Sequence, residues 1–120
     1  RTSVECWGTG DPMREFMYVE DAAESIVQAL QKYDDSTQPL NIGTGKDISI
    51  KELVEYIVSA TGFNGEVNWN TDKPDGQMKK LLDTTRMGEY ITLTPIEVKE
   101  GIKKTVEWYK GHKKHADSKK

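Results

Sequence analysis

Three stretches of this sequence place apolar residues at helical spacing, and short β-type runs lie between them. That alternation constrains the fold more than any other feature. The first stretch is Ala23, Ile26, Val27, Leu30 and Tyr33, and the spacing predicts one buried stripe. Glu20 and Asp21 precede it and suit the free N–H groups of a helix start. In the second, Ser49 and Glu52 have capping-box spacing, Ile50, Leu53, Val54, Ile57 and Val58 form the apolar face, and Gly62 marks the stop. The third begins at Thr94 as cap, with Pro95 in the first helical position and Glu97 completing a second box. Val98, Ile102, Val106 and Tyr109 line its inner side. Glu15–Val19, Leu40–Ile42 and Glu66–Trp69 read as strands. Strands alternating with three main helices predict an α/β fold.

At 120 residues the chain is about one domain in size, and 35% hydrophobic with 31% charged residues is ordinary for a soluble protein. The net charge of −3 hides an asymmetry. From Lys99 onward there are eight lysines against three acids, and before it nine basic residues against seventeen acidic. An acidic body argues against nucleic-acid binding, which needs a broad basic face. Residues 1–112 are expected to form the domain and 113–120 a disordered basic tail. The single cysteine, Cys6, permits no internal disulfide, fits a reducing cytoplasmic setting and reads as a small buried hydrophobe. No apolar run approaches a membrane span. An opening on Arg1 without methionine fits a piece cut from a longer chain.

Several short motifs invite functional readings. The glycine pairs Gly8/Gly10 and Gly43/Gly45 do not complete G-x-G-x-x-G, because Met13 and Ile48 stand at the third positions; turn glycines are the favoured reading. Tyr109 and Lys113 have the Y-x-x-x-K spacing that sets a phenol beside an ammonium on one helix face, where the cation lowers the phenol's pKa. The pair spans Gly111 with no cofactor loop upstream, and Tyr109 belongs to the apolar stripe, so no catalytic residue is assigned. His112 and His115 lack a third ligand, and no metal site is assigned.

Two loops are more informative. Trp7-Gly8-Thr9-Gly10-Asp11-Pro12-Met13-Arg14 presents an indole at one end and a guanidinium at the other. An indole offers area for a base or sugar, and a guanidinium grips a diphosphate through its planar fork. The residues equally fit Trp7 capping a core edge and Arg14 pairing with Asp11 or Glu20. Lys73-Pro74-Asp75-Gly76-Gln77-Met78-Lys79-Lys80-Leu81-Leu82-Asp83 reads as a chain reversal followed by paired ammonium groups.

W-G-x-G-x-P-x-R-E-F-x-x-V-x-D-x-A, N-I-G-T-G, K-P-D-G-x-x-x-K-L-L-D and E-G-I-x-x-T-x-x-W-Y occur in one order over residues 4–110. Together they resemble the C-terminal part of the GDP-L-fucose synthases, a family of extended short-chain dehydrogenase/reductases. The resemblance implies the substrate-binding portion of an NADP-dependent enzyme. Such an enzyme epimerises C3 and C5 of a GDP-4-keto-6-deoxy sugar and reduces C4, and the parent would be a homodimer. It also implies that Trp7 and Arg14 contact the GDP-sugar and that Lys80 lies near its phosphates, with Lys79 a basic neighbour. The dinucleotide loop and the catalytic residues of the family belong to its N-terminal half and have no counterpart here; Cys6 is not at the matching position of the catalytic Cys. This chain departs from the family between Met87 and Thr94. The rival readings are another nucleotide-sugar enzyme and a stand-alone binding module.

Overall fold

The elements run β1 (Ser3–Trp7), β2 (Met13–Glu15), α1 (Val19–Lys32), β3 (Asp47–Ser49), α2 (Ile50–Thr61), β4 (Glu66–Asn70), β5 (Lys79–Lys80), α3 (Met87–Tyr90), α4 (Val98–Gly111) and α5 (Lys113–Asp117). They belong to a computed structural model that describes residues 2–35 and 37–118. The fold is α/β, and α1, α2 and α4 are its three main helices. The strands form two small sheets. In one, β1 and β4 run parallel from Ser3↔Glu66 to Trp7↔Asn70. In the other the order is β3-β2-β5, with β3 antiparallel and β5 parallel to β2.

Helix α2 forms as its sequence dictates. The Ser49 hydroxyl accepts from the Glu52 N–H at 3.0 Å, and Gly62 ends the helix at φ 71° while its N–H donates to Val58 O at 3.1 Å. Its apolar face packs toward α4 and β3, half-burying Leu53, Val54 and Val58.

Helix α1 is turned the other way from the expectation. Its stripe is open: Ile26 is 58% exposed, Val27 48% and Leu30 86%, Ala23 is also exposed, and only Tyr33 is half-buried. The opposite side carries Asp21, Ser25 and Gln28, and that side is held inward by hydrogen bonds. Asp21 Oδ2 accepts the Ile96 N–H at 3.0 Å, and the Gln28 amide accepts from Thr92 N (2.8 Å) and donates to Thr92 O (3.0 Å). Ser25 is fully buried, its hydroxyl donating to Asp21 O at 2.8 Å. Gly101 of α4 sits against Tyr18, whose Cβ would lie 3.3 Å from an added methyl.

Four further expectations are corrected. The strand expected at Glu15–Val19 is instead β2, Met13–Glu15, because Val19 already opens α1. Leu40–Ile42 forms no strand, since no strand lies beside it among the described residues; Asn41 instead donates to Asp83 O at 3.2 Å. Helix α4 begins at Val98 with Glu97 as cap, because the Ile96 N–H is drawn to Asp21 and the Thr94–Pro95 start is not used. The final segment, expected to be disordered, is helical from Lys113 to Asp117; Lys119 and Lys120 lie outside the described residues.

Met87 and Ile91 are the buried apolar core, with Tyr90 meeting Tyr33 edge-on at 4.9 Å. The stretch that departs from the family pattern therefore packs the centre. The molecule measures 51 × 34 × 25 Å with a Cα radius of gyration of 17.0 Å. A compact domain of this length would have about 13.6 Å, so the fold is extended, in keeping with the open face of α1.

Candidate functional site

The β3-β2-β5 sheet brings together the two cations that the sequence singles out. Arg14 on β2 lies opposite Lys80 on β5 and Ile48 on β3, so the three side chains share one face. Met13 lies opposite Lys79, and Glu15 opposite Asp47, on the other face. That second face neutralises itself, because Lys79 Nζ stands 3.8 Å from Asp47 Oδ2. This Asp47 oxygen is buried and accepts no hydrogen bond among the described residues, so the lysine is its main compensation. The first face is uncompensated. Arg14 donates through Nη1 to Met13 O at 2.7 Å, and neither Arg14 nor Lys80 has an ion pair among the described residues. The expected alternative for Arg14, a pair with Asp11 or Glu20, is not formed.

Trp7 ends β1, 66% exposed, so it does not cap a core edge. Its Nε1–H donates to Glu5 at 3.0 Å, and Lys73 Nζ lies 5.0 Å from the ring centroid. The loop from Trp7 to Arg14 is tied to the loop that carries the lysines. Asp75 accepts from the Thr9 N–H at 2.6 Å and from the Thr9 hydroxyl at 2.8 Å. The Met13 N–H donates to Met78 O at 2.7 Å, starting the β2–β5 register. Gly8, at φ 87°, passes so close to Asp75 that no side chain fits between them. Nothing in the sequence marks this contact except the turn propensity of Asp75-Gly76.

The Gly43/Gly45 loop also holds a carboxylate of the chain itself. Glu15 Oε2 accepts from the Gly45 N–H at 2.6 Å, and a Cβ on Gly43 would come within 2.7 Å of the Glu15 carboxylate. With its amide taken by Glu15, this loop does not fit the phosphates of a dinucleotide, and the described residues offer no NADP site through it. Tyr109 and Lys113 do not share a helix, because α4 ends at Gly111; the Tyr109 hydroxyl donates to Asp117 at 3.0 Å. His112 stacks on Trp108 at 4.5 Å, and no group of His, Cys, Asp and Glu among the described residues could hold a metal. Cys6 is half-buried on β1, opposite Trp69. Asp83 ends the lysine segment. Hydrogen bonds from the Thr85 hydroxyl (2.7 Å) and N–H (2.9 Å) hold its carboxyl below the usual range, with a smaller pull from Arg86. A cavity of 170 Å³ opens between β3, α2 and the start of α4, lined by Ile48, Tyr56 and Pro95 but by neither site cation. Among the described residues no helix is long and apolar enough to cross a membrane.

Comparison with known proteins shows what the chain is similar to. Residues 1–43 match the family model described as NAD dependent epimerase/dehydratase family. The chain belongs to that family. A probable GDP-L-fucose synthase 1 of Oryza sativa subsp. japonica is 37% identical over 106 residues, covering 88% of this chain and 32% of its own length. The GDP-L-fucose synthase of Escherichia coli K12 is 36% identical, with 88% of this chain and 36% of its own length covered. Among solved structures, a GDP-L-fucose synthetase from Naegleria fowleri bound to NADP superposes with TM-score 0.88 at 26% identity, over 93% of this chain and 36% of that one. A GDP-6-OMe-4-keto-L-xylo-heptose reductase from Campylobacter jejuni superposes at 0.80 with 38% identity, over 92% and 34%. The chain thus spans about a third of the length of the relatives it matches.

Proposed function

We propose that this chain is the substrate-binding part of a longer, cytoplasmic, homodimeric NADP-dependent GDP-sugar epimerase/reductase of the GDP-L-fucose synthase type. Arg14 and Lys80 hold the diphosphate, and Trp7 lies against the base or sugar. The observation that carries this reading is the register of β2 and β5, which sets Arg14 and Lys80 side by side on one face without a carboxylate partner among the described residues. Two fixed cations offset the cost of confining a dianion, and the Arg14 fork adds direction.

The overall reaction is epimerisation at C3 and C5 of GDP-4-keto-6-deoxy-mannose, then NADPH reduction at C4 to GDP-L-fucose. This chain's part in it is to bind and orient the nucleotide; the cofactor and the proton-moving residues belong to the portion outside it. The open stripe of α1, with Leu30 86% exposed, supports a longer protein, because an apolar helix face of this size is ordinarily covered.

The test is NADPH oxidation by the full-length enzyme with the GDP-keto sugar. Arg14→Ala should raise KM by about one to two decades, since a hydrogen bond to a charged group is worth roughly 1.5–3 kcal/mol. Turnover of a UDP-linked sugar in preference to the GDP-linked one would overturn the choice of substrate.

A further inference from the structure

Asp75 stands at the junction of every segment that bears on the proposed nucleotide grip. Its two carboxylate oxygens take the N–H and the hydroxyl of Thr9, 66 residues away in sequence, at 2.6 and 2.8 Å. The Thr9 hydroxyl in turn accepts from the Asp11 N–H at 3.1 Å, so one carboxylate organises the loop from Gly8 to Asp11. That loop begins at Trp7 and leads into Arg14. Along the chain Asp75 falls between Lys73, whose ammonium stands over the Trp7 ring, and Lys80, beside Arg14 in register. Gly76 at φ 78° turns the chain directly after Asp75, and Gly8 at φ 87° lets the two loops touch.

From this we infer that Asp75 is a positioning residue for nucleotide diphosphate binding. It reaches no ligand itself; it clamps the β1–β2 loop to the β4–β5 loop, so that Arg14 and Lys80 meet the diphosphate already aligned. A negative charge near a site for an anion would otherwise be unfavourable. Here both oxygens of Asp75 are occupied by Thr9, and the charge serves the loop. A carboxylate is suited to this because it accepts a backbone and a side-chain donor at once, each bond strengthened by its charge. The inference rests on the functional reading above, and the experiment separates the two.

GDP is titrated calorimetrically into the full-length enzyme as wild type, Asp75→Ala, Lys80→Ala and the double variant, with NADPH affinity and thermal midpoint recorded for each. Asp75→Ala should weaken GDP by about tenfold, the scale of one lost charge-assisted contact. In the Lys80→Ala background the same change should have less than about a threefold effect, because the clamp sets Arg14 and Lys80 relative to each other and one of that pair is gone. NADPH affinity should hold in all. Thr9→Ala, which removes one of the two bonds and carries less risk to folding, should weaken GDP by about threefold and lose its effect in the same background. Equal losses in both backgrounds would overturn positioning. So would wild-type GDP affinity in Asp75→Ala or, where that variant does not fold, in Thr9→Ala. If Lys80→Ala also binds GDP normally, the nucleotide reading itself fails; if it alone weakens binding, that reading stands without Asp75.

Discussion

Lys79 and Lys80 are consecutive in sequence and lie on opposite faces of the same three-stranded sheet. On the Lys79 face every charge is answered within the chain: Lys79 stands by Asp47, and Glu15 is gripped by the Gly45 N–H. On the Lys80 face, Arg14 and Lys80 are set together with no carboxylate among the described residues to answer them. Strand alternation alone makes this separation. A pair of adjacent lysines is therefore two different things, one closing an internal account of charge and the other presenting charge outward. Under the proposed reading, the diphosphate is what answers this pair of cations.

Disturbing the satisfied face should damage the fold and spare binding. Gly43→Ala drives a methyl into the Glu15 carboxylate and frees it from Gly45. Overpacking of this kind costs about 1–3 kcal/mol, which chemical denaturation of the full-length enzyme would read as a lower midpoint. GDP affinity should stay within about threefold of wild type. A stable Gly43→Ala protein that no longer binds GDP would erase the distinction between the faces.

A smaller effect concerns the nearest candidate for a hidden counter-ion. Asp83 follows Lys80 by three residues, yet its carboxyl is held low by Thr85 rather than by a lysine. Its NMR titration should rise toward the ordinary carboxylate value in Thr85→Ala and stay put in Lys80→Ala. A shift in Lys80→Ala would mean that Asp83 answers Lys80 after all. Because the folded pKa is depressed, any stability Asp83 provides is present above the unfolded pKa and lost as pH falls through the folded one.

How much of this was legible differs from element to element. Helix α2 could be read from its cap, its stop and most of its face, which are all local, although Ile57 of that face is exposed. The stripe of α1 could be found from its period, but not its direction. That direction is decided by Asp21 and Gln28 bonding to Ile96 and Thr92, 64 to 75 residues away. Leu40–Ile42 had the composition of a strand and no partner to pair with, and pairing is what makes a strand. In the site, Arg14 and Lys80 were marked by resemblance and their residue chemistry, whereas their adjacency required the β2–β5 register. Asp75 read only as a turn former, because its bonds to Thr9 join distant loops. Glu15 was placed in a strand, with no sign that it would fill the Gly43/Gly45 loop.

The most direct test sets the two lysines against each other. GDP is titrated by calorimetry into the full-length enzyme carrying either Lys79→Ala or Lys80→Ala, at one ionic strength. The predicted result is a loss of about one to two decades for Lys80→Ala, from a charge-assisted contact of roughly 1.5–3 kcal/mol. Lys79→Ala should change affinity by less than about threefold, since its ammonium is already engaged by Asp47. Equal affinities in the two variants, or the larger loss in Lys79→Ala, would contradict the assignment of the Arg14–Lys80 face as the nucleotide grip.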